Sequence, residues 1–340
     1  MHAVVIKAAT DIGLTELADP TPGPDQVLLR IAYVGICGSD LNYWSRGATG
    51  EYSLREPLIP GHELSAVVEA DPSGRLAPGT AVTVHPARFG RPVEGLDDAP
   101  HLWPGGSYLG SAATWPHTQG AMAELLVVES SMVRVLPDGL PVKRGALAEP
   151  LAVALHGLAL AGGAAGKSVL ISGSGPIGLL ALAAAAAQGA TRLVASDVLP
   201  GPLDRARSLG AGQVLQVGID DIPSGEFDLV LECSGAAAGV TAAVLAAKRR
   251  GTIVQLGMLA NEPRPINLAP MLAKELTLVG TFRFADEIDA AVEMLAAHPE
   301  LEQVITHTFA PTEVDEAFAV ARDGNHSGKV LVAINPGSAG

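Results

Sequence analysis

Four short stretches of the chain carry residue types whose spacing could do chemistry. Cys37 opens Cys37-Gly38-Ser39-Asp40, His62 and Glu63 follow Gly61, Glu149 precedes Pro150, and Gly173-Ser174-Gly175-Pro176-Ile177-Gly178 follows an apolar run. A thiolate, an imidazole and one or two carboxylates make a donor set suited to Zn2+; a catalytic zinc takes three protein ligands and keeps one position for water or substrate. Singly, each residue has a plainer reading, because a buried cysteine is usually a small hydrophobe and an acid beside proline is usually a cap. The glycine stretch reads G-x-G-x-x-G between a strand and a helix. Gly173 permits the tight turn, Gly175 lets backbone N–H groups approach a pyrophosphate, and Gly178 lets helix and strand pack closely. Pro176 and Ile177 open that helix, whose N-terminus favours phosphate charge, and a proline there loses no intrahelical partner. Asp197 ends the next predicted strand, where a carboxylate can accept hydrogen bonds from both ribose hydroxyls of NAD and would repel the 2′-phosphate of NADP. No arginine follows Asp197 until Arg205.

The elements that must position these groups follow two grammars. Up to residue 149, short apolar runs at 3–6, 26–34, 63–69, 81–85 and 121–128 are broken by Gly, Pro and Asp, which predicts a mostly antiparallel barrel or sandwich. Segment 86–120 carries Trp103, Tyr108 and Trp115 and no regular pattern, as a functional or surface lobe would. From 151 onward, strands alternate with helices: helix 151–160, strand 167–172, helix 176–188, strand 192–196, helix 203–209, strands 213–217 and 227–232, helix 240–248, and strands 252–256 and 276–280. Repeated βα units predict a parallel, doubly wound sheet with right-handed crossovers. A helix at 287–295 and a strand at 329–334 are expected to pack back on the first part. The expected fold class is therefore α/β, with a first domain at 1–150 completed by about 285–340 and a dinucleotide domain at 151–284.

At 340 residues the chain is long enough for two such domains. A net charge of −14 with no segregated basic patch opposes nucleic acid and anionic membrane surfaces as partners. The strongest apolar run, 177–187, is too short to span a bilayer, and the first residues lack a secretory signal, so a cytoplasmic location is expected. Two cysteines, Cys37 and Cys233, make no disulfide framework.

Taken together, these motifs resemble the zinc-containing medium-chain alcohol dehydrogenase family over essentially the whole chain. Gly35-Ile36-Cys37-Gly38-Ser39-Asp40-Leu41-Asn42-Tyr43-Trp44, Gly61-His62-Glu63, Ala148-Glu149-Pro150-Leu151 and Gly280-Thr281-Phe282-Arg283-Phe284 look most like its sorbitol and L-idonate 5-dehydrogenase branch. The stretch from Leu109-Gly110-Ser111 to Pro116-His117, with Gly120, is also similar to the idonate enzymes. The resemblance implies a Rossmann sheet beside a GroES-like catalytic domain. It implies one catalytic zinc on Cys37 and His62, with Glu63 and Glu149 sharing the remaining positions directly or through water. It further implies Ser39 as first step of a proton relay, Tyr43 and Arg283 lining the substrate pocket, and hydride transfer from a secondary alcohol of a polyol or sugar acid to NAD. Arg283 suits hydroxyl or carboxylate oxygens through its fork of donors. A homodimer or homotetramer is implied, through edge pairing of the cofactor domains.

The chain also departs from that pattern. Many relatives bind a structural zinc through four cysteines in the lobe, whereas 86–120 has none; no structural zinc is expected, and His85, His101 and His117 read as separate residues. Trp103, Tyr108 and Trp115 are expected to hold the lobe by apolar packing instead. Asn42 replaces a frequent relay histidine, Pro202 replaces an arginine over the adenine, and Cys233 reads as a small buried residue. Two other readings stand beside the polyol dehydrogenase: a simple alcohol or threonine-type dehydrogenase of the same superfamily, and a silent dinucleotide-binding sensor or scaffold.

Overall fold

The sequence QVLLRIAYVG alternates buried and half-buried residues along the strand Gln26–Gly35, as a strand laid on a core does. In the computed structural model, which describes residues 1–338, this strand is central to a seven-stranded sheet. The order is Val133–Val135, Ala81–Val84, Glu63–Ala70, Gln26–Gly35, Lys329–Ala333, Ile305–Phe309, and Leu125–Glu129 also pairs with Gln26–Gly35. All these pairings are antiparallel except that of Ile305–Phe309 with Lys329–Ala333. Register decides what the sheet can carry. Gly35 faces Glu63 on one side and Leu331 on the other, so two strand ends meet beside the middle of a third strand just before Cys37. A Cβ on Gly35 would stand 2.1 Å from Glu63 Oε2; only glycine lets that carboxylate lie there.

The second sheet is parallel throughout and six strands wide, ordered Gln213–Gln216, Arg192–Asp197, Ser168–Ser172, Phe227–Glu232, Ala247–Gln255, Thr277–Gly280. In chain order this is 3-2-1-4-5-6, with the order reversing between Ser168–Ser172 and Phe227–Glu232, where an open α/β sheet forms its ligand crevice. Ser168–Ser172 is buried along its whole length, as expected of a central parallel strand covered on both faces. The helix Ala148–Leu160 packs against Pro176–Ala187 and Ile288–Ala297, and its buried residues belong to one core with Val169, Ile171, Phe284 and Leu295. It thereby joins the first sheet's last loops to the second sheet. Among the described residues no helix is long and apolar enough to cross a membrane.

Several elements differ from the sequence reading. The predicted helix 240–248 is Ala237–Ala246, and the strand Ala247–Gln255 starts at once. Ala247 reads as helical by propensity, but pairing with Phe227 recruits it to the sheet, and Arg250, at φ 60°, carries the irregularity that follows. The helix expected at 203–209 begins at Pro200, in the first turn, where proline is tolerated. Of 121–128, regular pairing covers only Leu125–Glu129; Ala121 and Met122 instead donate N–H groups to the carbonyls of Gly61 and Pro60. The structure adds the helix Gly38–Arg46, the strands Asp11–Glu16 and Ile305–Phe309, and the helix Val314–Arg322 to the elements that the sequence predicts.

Candidate active site

Cys37 leaves the end of Gln26–Gly35 and stands at the N-cap of the helix Gly38–Arg46, while Gly61, at φ 94°, turns the chain so that Glu63 begins the neighbouring strand with His62 just before it. Asp40 ties the two loops together. Its carboxylate is fully buried and accepts from Cys37 N–H at 2.9 Å and Gly61 N–H at 3.1 Å. The result is that a donor atom of Cys37, one of His62 and one of Glu63 all lie within 4.8 Å of one another.

Glu63 is 1 % exposed, and the Lys329 ammonium, itself 3 % exposed, approaches its two oxygens at 2.6 and 2.7 Å and also donates to the Ile36 carbonyl. Glu149, in the first turn of Ala148–Leu160, accepts at 2.5 Å from the Tyr108 hydroxyl. Burial raises the Glu149 carboxyl above its ordinary range; His62 works against this, and Glu63 adds to it. For His62 the balance is opposite: burial opposes its charge, but the Cys37 sulfur beside it, with Glu149 and Asp40, carries the imidazole up to about 10. Lys329 is likewise held above its ordinary value, burial being outweighed by Glu63 and Cys37.

Three buried carboxylates, Asp40, Glu63 and Glu149, and the Cys37 sulfur thus surround the Lys329 ammonium and the His62 ring. His62 Nδ1 is buried with no hydrogen-bond partner, a costly state for a ring nitrogen unless something else occupies it. A sulfur, a nitrogen and an oxygen converging under excess negative charge fit a divalent cation, and the mixed set suits zinc better than a hard oxygen-seeking ion.

Ser39 is half-buried in the first turn of its helix, one residue from the fixed Asp40. Tyr43, 2 % exposed, accepts the Ala112 N–H at its hydroxyl. Arg283 takes a left-handed backbone at φ 55° and lays its guanidinium over Tyr108, 3.9 Å from the ring centroid, and over Phe282 at 4.7 Å. Burial lowers its pKa, and the charges and dipoles of Tyr108, Glu149, Tyr52 and Tyr43 oppose that. The guanidinium therefore stands on the same side as Tyr108 and the Glu149 that Tyr108 holds.

On the cofactor side, Gly173 turns at φ 92°, and a Cβ on Gly178 would lie 2.0 Å from the Gly173 carbonyl oxygen. A Cβ on Gly175 would meet nothing within 4 Å, which leaves open space over the start of Pro176–Ala187. Ile177 is half-buried in that first turn. Asp197 accepts from Ser174 N–H at 2.8 Å and Leu199 N–H at 3.0 Å, so its carboxylate is fixed beside the glycine turn. Pro202 is buried in the helix Pro200–Ser208. Cys233 is half-buried against the core, and burial, with Glu232 beside it, pushes its thiol up.

The lobe corrects one expectation. Trp115 is 57 % exposed, with Arg55 over its ring at 4.7 Å, so it packs no apolar core. Trp103 is half-buried and donates to the Leu96 carbonyl at 2.8 Å. Tyr108 faces the Cys37, His62 and Glu63 cluster. Polar ties do more of the holding: His117 donates its N–H to Glu56 and accepts the Arg55 N–H. His85 and His101 have other neighbours, the Ala285 carbonyl and the His156 ring. Asp40, Lys329 and the Tyr108 hydroxyl are the site groups to which sequence reasoning gave no role. Asp40 was visible within its motif, whereas Lys329 lies 266 positions from Glu63 and gave no local signal.

The family model described as alcohol dehydrogenase GroES-like domain matches residues 23–138, and that described as zinc-binding dehydrogenase matches 176–297. Sorbitol dehydrogenase 2 of Saccharomyces cerevisiae is 35% identical, over 98% of this chain and 97% of its own length. Sorbitol dehydrogenase of Macaca fascicularis is 32% identical, over 95% and 93%. The crystal structure of L-idonate 5-dehydrogenase from Escherichia coli superposes with a TM-score of 0.92 at 30% identity, covering 98% of each chain. The chain belongs to the zinc-containing medium-chain alcohol dehydrogenase family, in its sorbitol and L-idonate 5-dehydrogenase-like branch, and is an oxidoreductase of CH–OH groups.

Proposed function

We propose that the chain oxidises a secondary alcohol of a polyol or sugar acid with NAD, at one zinc held by Cys37 and His62 together with Glu63. The observation that carries this reading is the convergence of those three donors within 4.8 Å, on the side of the site that Arg283 faces. When bound, the ion would act as a Lewis acid on the substrate oxygen. The protein's own residues then orient and protect. Ser39 takes the hydroxyl proton toward solvent, and Arg283 offers two parallel donors to a hydroxyl pair or a carboxylate. Tyr43, pinned by Ala112, forms the wall behind them, and Glu149 serves as a nearby proton acceptor held by Tyr108.

The choice of NAD rests on Asp197 and on a second feature. Arg205, the first arginine after it, donates to the carbonyls of Gly324, Asn325 and Ser327 and so is committed elsewhere than a 2′-phosphate. Gly173, Gly175, Pro176, Ile177 and Gly178 would receive the pyrophosphate. We further propose the division into 1–150 with 285–340 and 151–284, a cytoplasmic enzyme without structural zinc, and a dimer or tetramer. The edge strand Thr277–Gly280, with Leu278 37 % and the nearby Leu272 82 % exposed, is the surface proposed for pairing.

The test is substrate profiling at fixed NAD with L-idonate, sorbitol, xylitol and L-threonine, with zinc measured on the same sample. Turnover of a polyol or aldonate at one zinc per chain is expected. Cys37→Ala should lower turnover by at least about 100-fold while NAD affinity is kept; unchanged turnover in that variant ends the zinc reading, and preference for L-threonine ends the polyol one.

A further inference from the structure

Tyr108 lies on the two-residue strand Ser107–Tyr108, which pairs with Ala87–Arg88 and so carries a side chain of the lobe into the wall of the donor cluster. Three contacts converge on it. Its hydroxyl donates to Glu149 Oε1 at 2.5 Å, its ring stands edge-on to His62 with centroids 5.4 Å apart, and the Arg283 guanidinium lies 3.9 Å over its ring centroid. At 6 % exposure the hydroxyl has little water with which to exchange that bond. A phenylalanine would fill the same space and keep both ring contacts. The hydroxyl therefore has one visible task, and that task is Glu149.

The two carboxylates beside Cys37 and His62 are held in different ways. Glu63 belongs to the set of donors within 4.8 Å, with its charge answered by Lys329. Glu149 lies outside that set, although the tyrosine that holds it packs its ring against His62. A carboxylate so close to a dication would bind it unless another group held it back, and a fourth protein ligand would fill the position a substrate oxygen needs.

We propose that Tyr108 is a positioning residue that withholds Glu149 from the metal: its hydroxyl fixes Oε1 on the lobe side and leaves the ion to Cys37, His62 and Glu63. This rests on the zinc reading above, and it assigns the two carboxylates separate tasks. Glu63 is a ligand trimmed by Lys329, and Glu149 is a base kept free by a tyrosine.

The experiment uses the full-length, zinc-loaded protein and follows zinc release to a colorimetric chelator, alongside kcat and KM. In Tyr108→Phe, zinc release should slow about tenfold as Glu149 joins the ion, and kcat should fall about tenfold with NAD affinity unchanged. In Tyr108→Phe with Glu149→Gln, release should return to within about twofold of the Glu149→Gln single variant. A hydroxyl that merely braced the lobe would give the opposite sign, since a loosened site loses metal faster. Release that is unchanged or faster in Tyr108→Phe, with zinc stoichiometric in the unaltered protein, overturns the withholding role and leaves the zinc reading standing. An unaltered protein that holds no zinc overturns both. Should Tyr108→Phe not fold, Glu149→Gln alone tests the same point: zinc release within about twofold of the unaltered protein is expected of a withheld carboxylate, and release about tenfold faster would make Glu149 a ligand and overturn the withholding role.

Discussion

The dinucleotide crevice and the donor cluster are built from the same parts, strand ends and the turns that leave them, yet they are stabilised in contrary ways. The crevice is local and made of backbone: Gly173, Gly175 and Gly178 fall within one strand–turn–helix, and the nearest side-chain tie is Asp197 on the adjacent strand, bonded to Ser174. The cluster is non-local and made of charge. Asp40 reaches Gly61, Tyr108 reaches Glu149, and Lys329 reaches Glu63 across 266 positions. Shape defects should therefore damage the first, and loss of one charge the second.

Lys329→Met is the severest test of that contrast. The lysine and Glu63 are 3 % and 1 % exposed, and removing one partner leaves the other charge buried and unpaired, which costs about 3–5 kcal/mol. Urea unfolding of the metal-free protein should show a loss of that size, while NAD titration of the folded fraction stays unchanged. A loss below about 1 kcal/mol would mean that water reaches Glu63, and the charge-built description of the cluster would fall.

Gly178→Ala attacks the other side. Its new Cβ would sit 2.0 Å from the Gly173 carbonyl oxygen, and since that atom is backbone, the helix Pro176–Ala187 must move off the turn. A cost of about 1–3 kcal/mol is expected from such overpacking. Calorimetry should find NAD bound about tenfold more weakly, because the N–H groups proposed to receive the pyrophosphate would move with the helix. Zinc content should not change. Equal loss of zinc and NAD affinity would show the two halves to be one cooperative site.

This division also explains what the sequence made legible. A parallel sheet announces itself through contiguous apolar runs and glycine turns, and every strand from Ser168–Ser172 to Thr277–Gly280 was placed to within a few residues, save the early start of Ala247–Gln255. Cys37, His62 and Glu63 were legible as types, but their meeting depends on the pairing of Gly35 with Glu63, and register in a mixed sheet is set by the whole core. Lys329 had no signal, because a lysine opening a terminal strand looks like any solvated charge until the strand is placed next to Gln26–Gly35. Tyr108 was misread for a related reason. Composition counted it with two tryptophans as lobe packing, whereas its single oxygen decides where it points.

The junction between the halves offers the mildest test. Glu287, just before the helix Ile288–Ala297, accepts from His156 Nδ1 at 2.7 Å and from Ala285 N–H at 2.8 Å. His156 shares the helix Ala148–Leu160 with Glu149, and the His101 ring stands edge-on to it with centroids 4.8 Å apart. Burial pushes the Glu287 carboxyl up, but His156 and the backbone N–H groups outweigh it and hold it down to about 2. A folded value below the unfolded one, about 4.3, means the contacts of the Glu287 carboxylate stabilise fully above that pH and cease to do so as pH falls through about 2. With its side chain 19% exposed, Glu287→Gln should cost about 1–2 kcal/mol at pH 7 after allowing for solvent screening. The two unfolding curves should converge toward pH 2, with zinc release and NAD affinity both unaltered. A constant gap from pH 7 to pH 2 would assign the effect to packing instead of charge, and a change in either affinity would show the junction transmitting strain into the sites it separates.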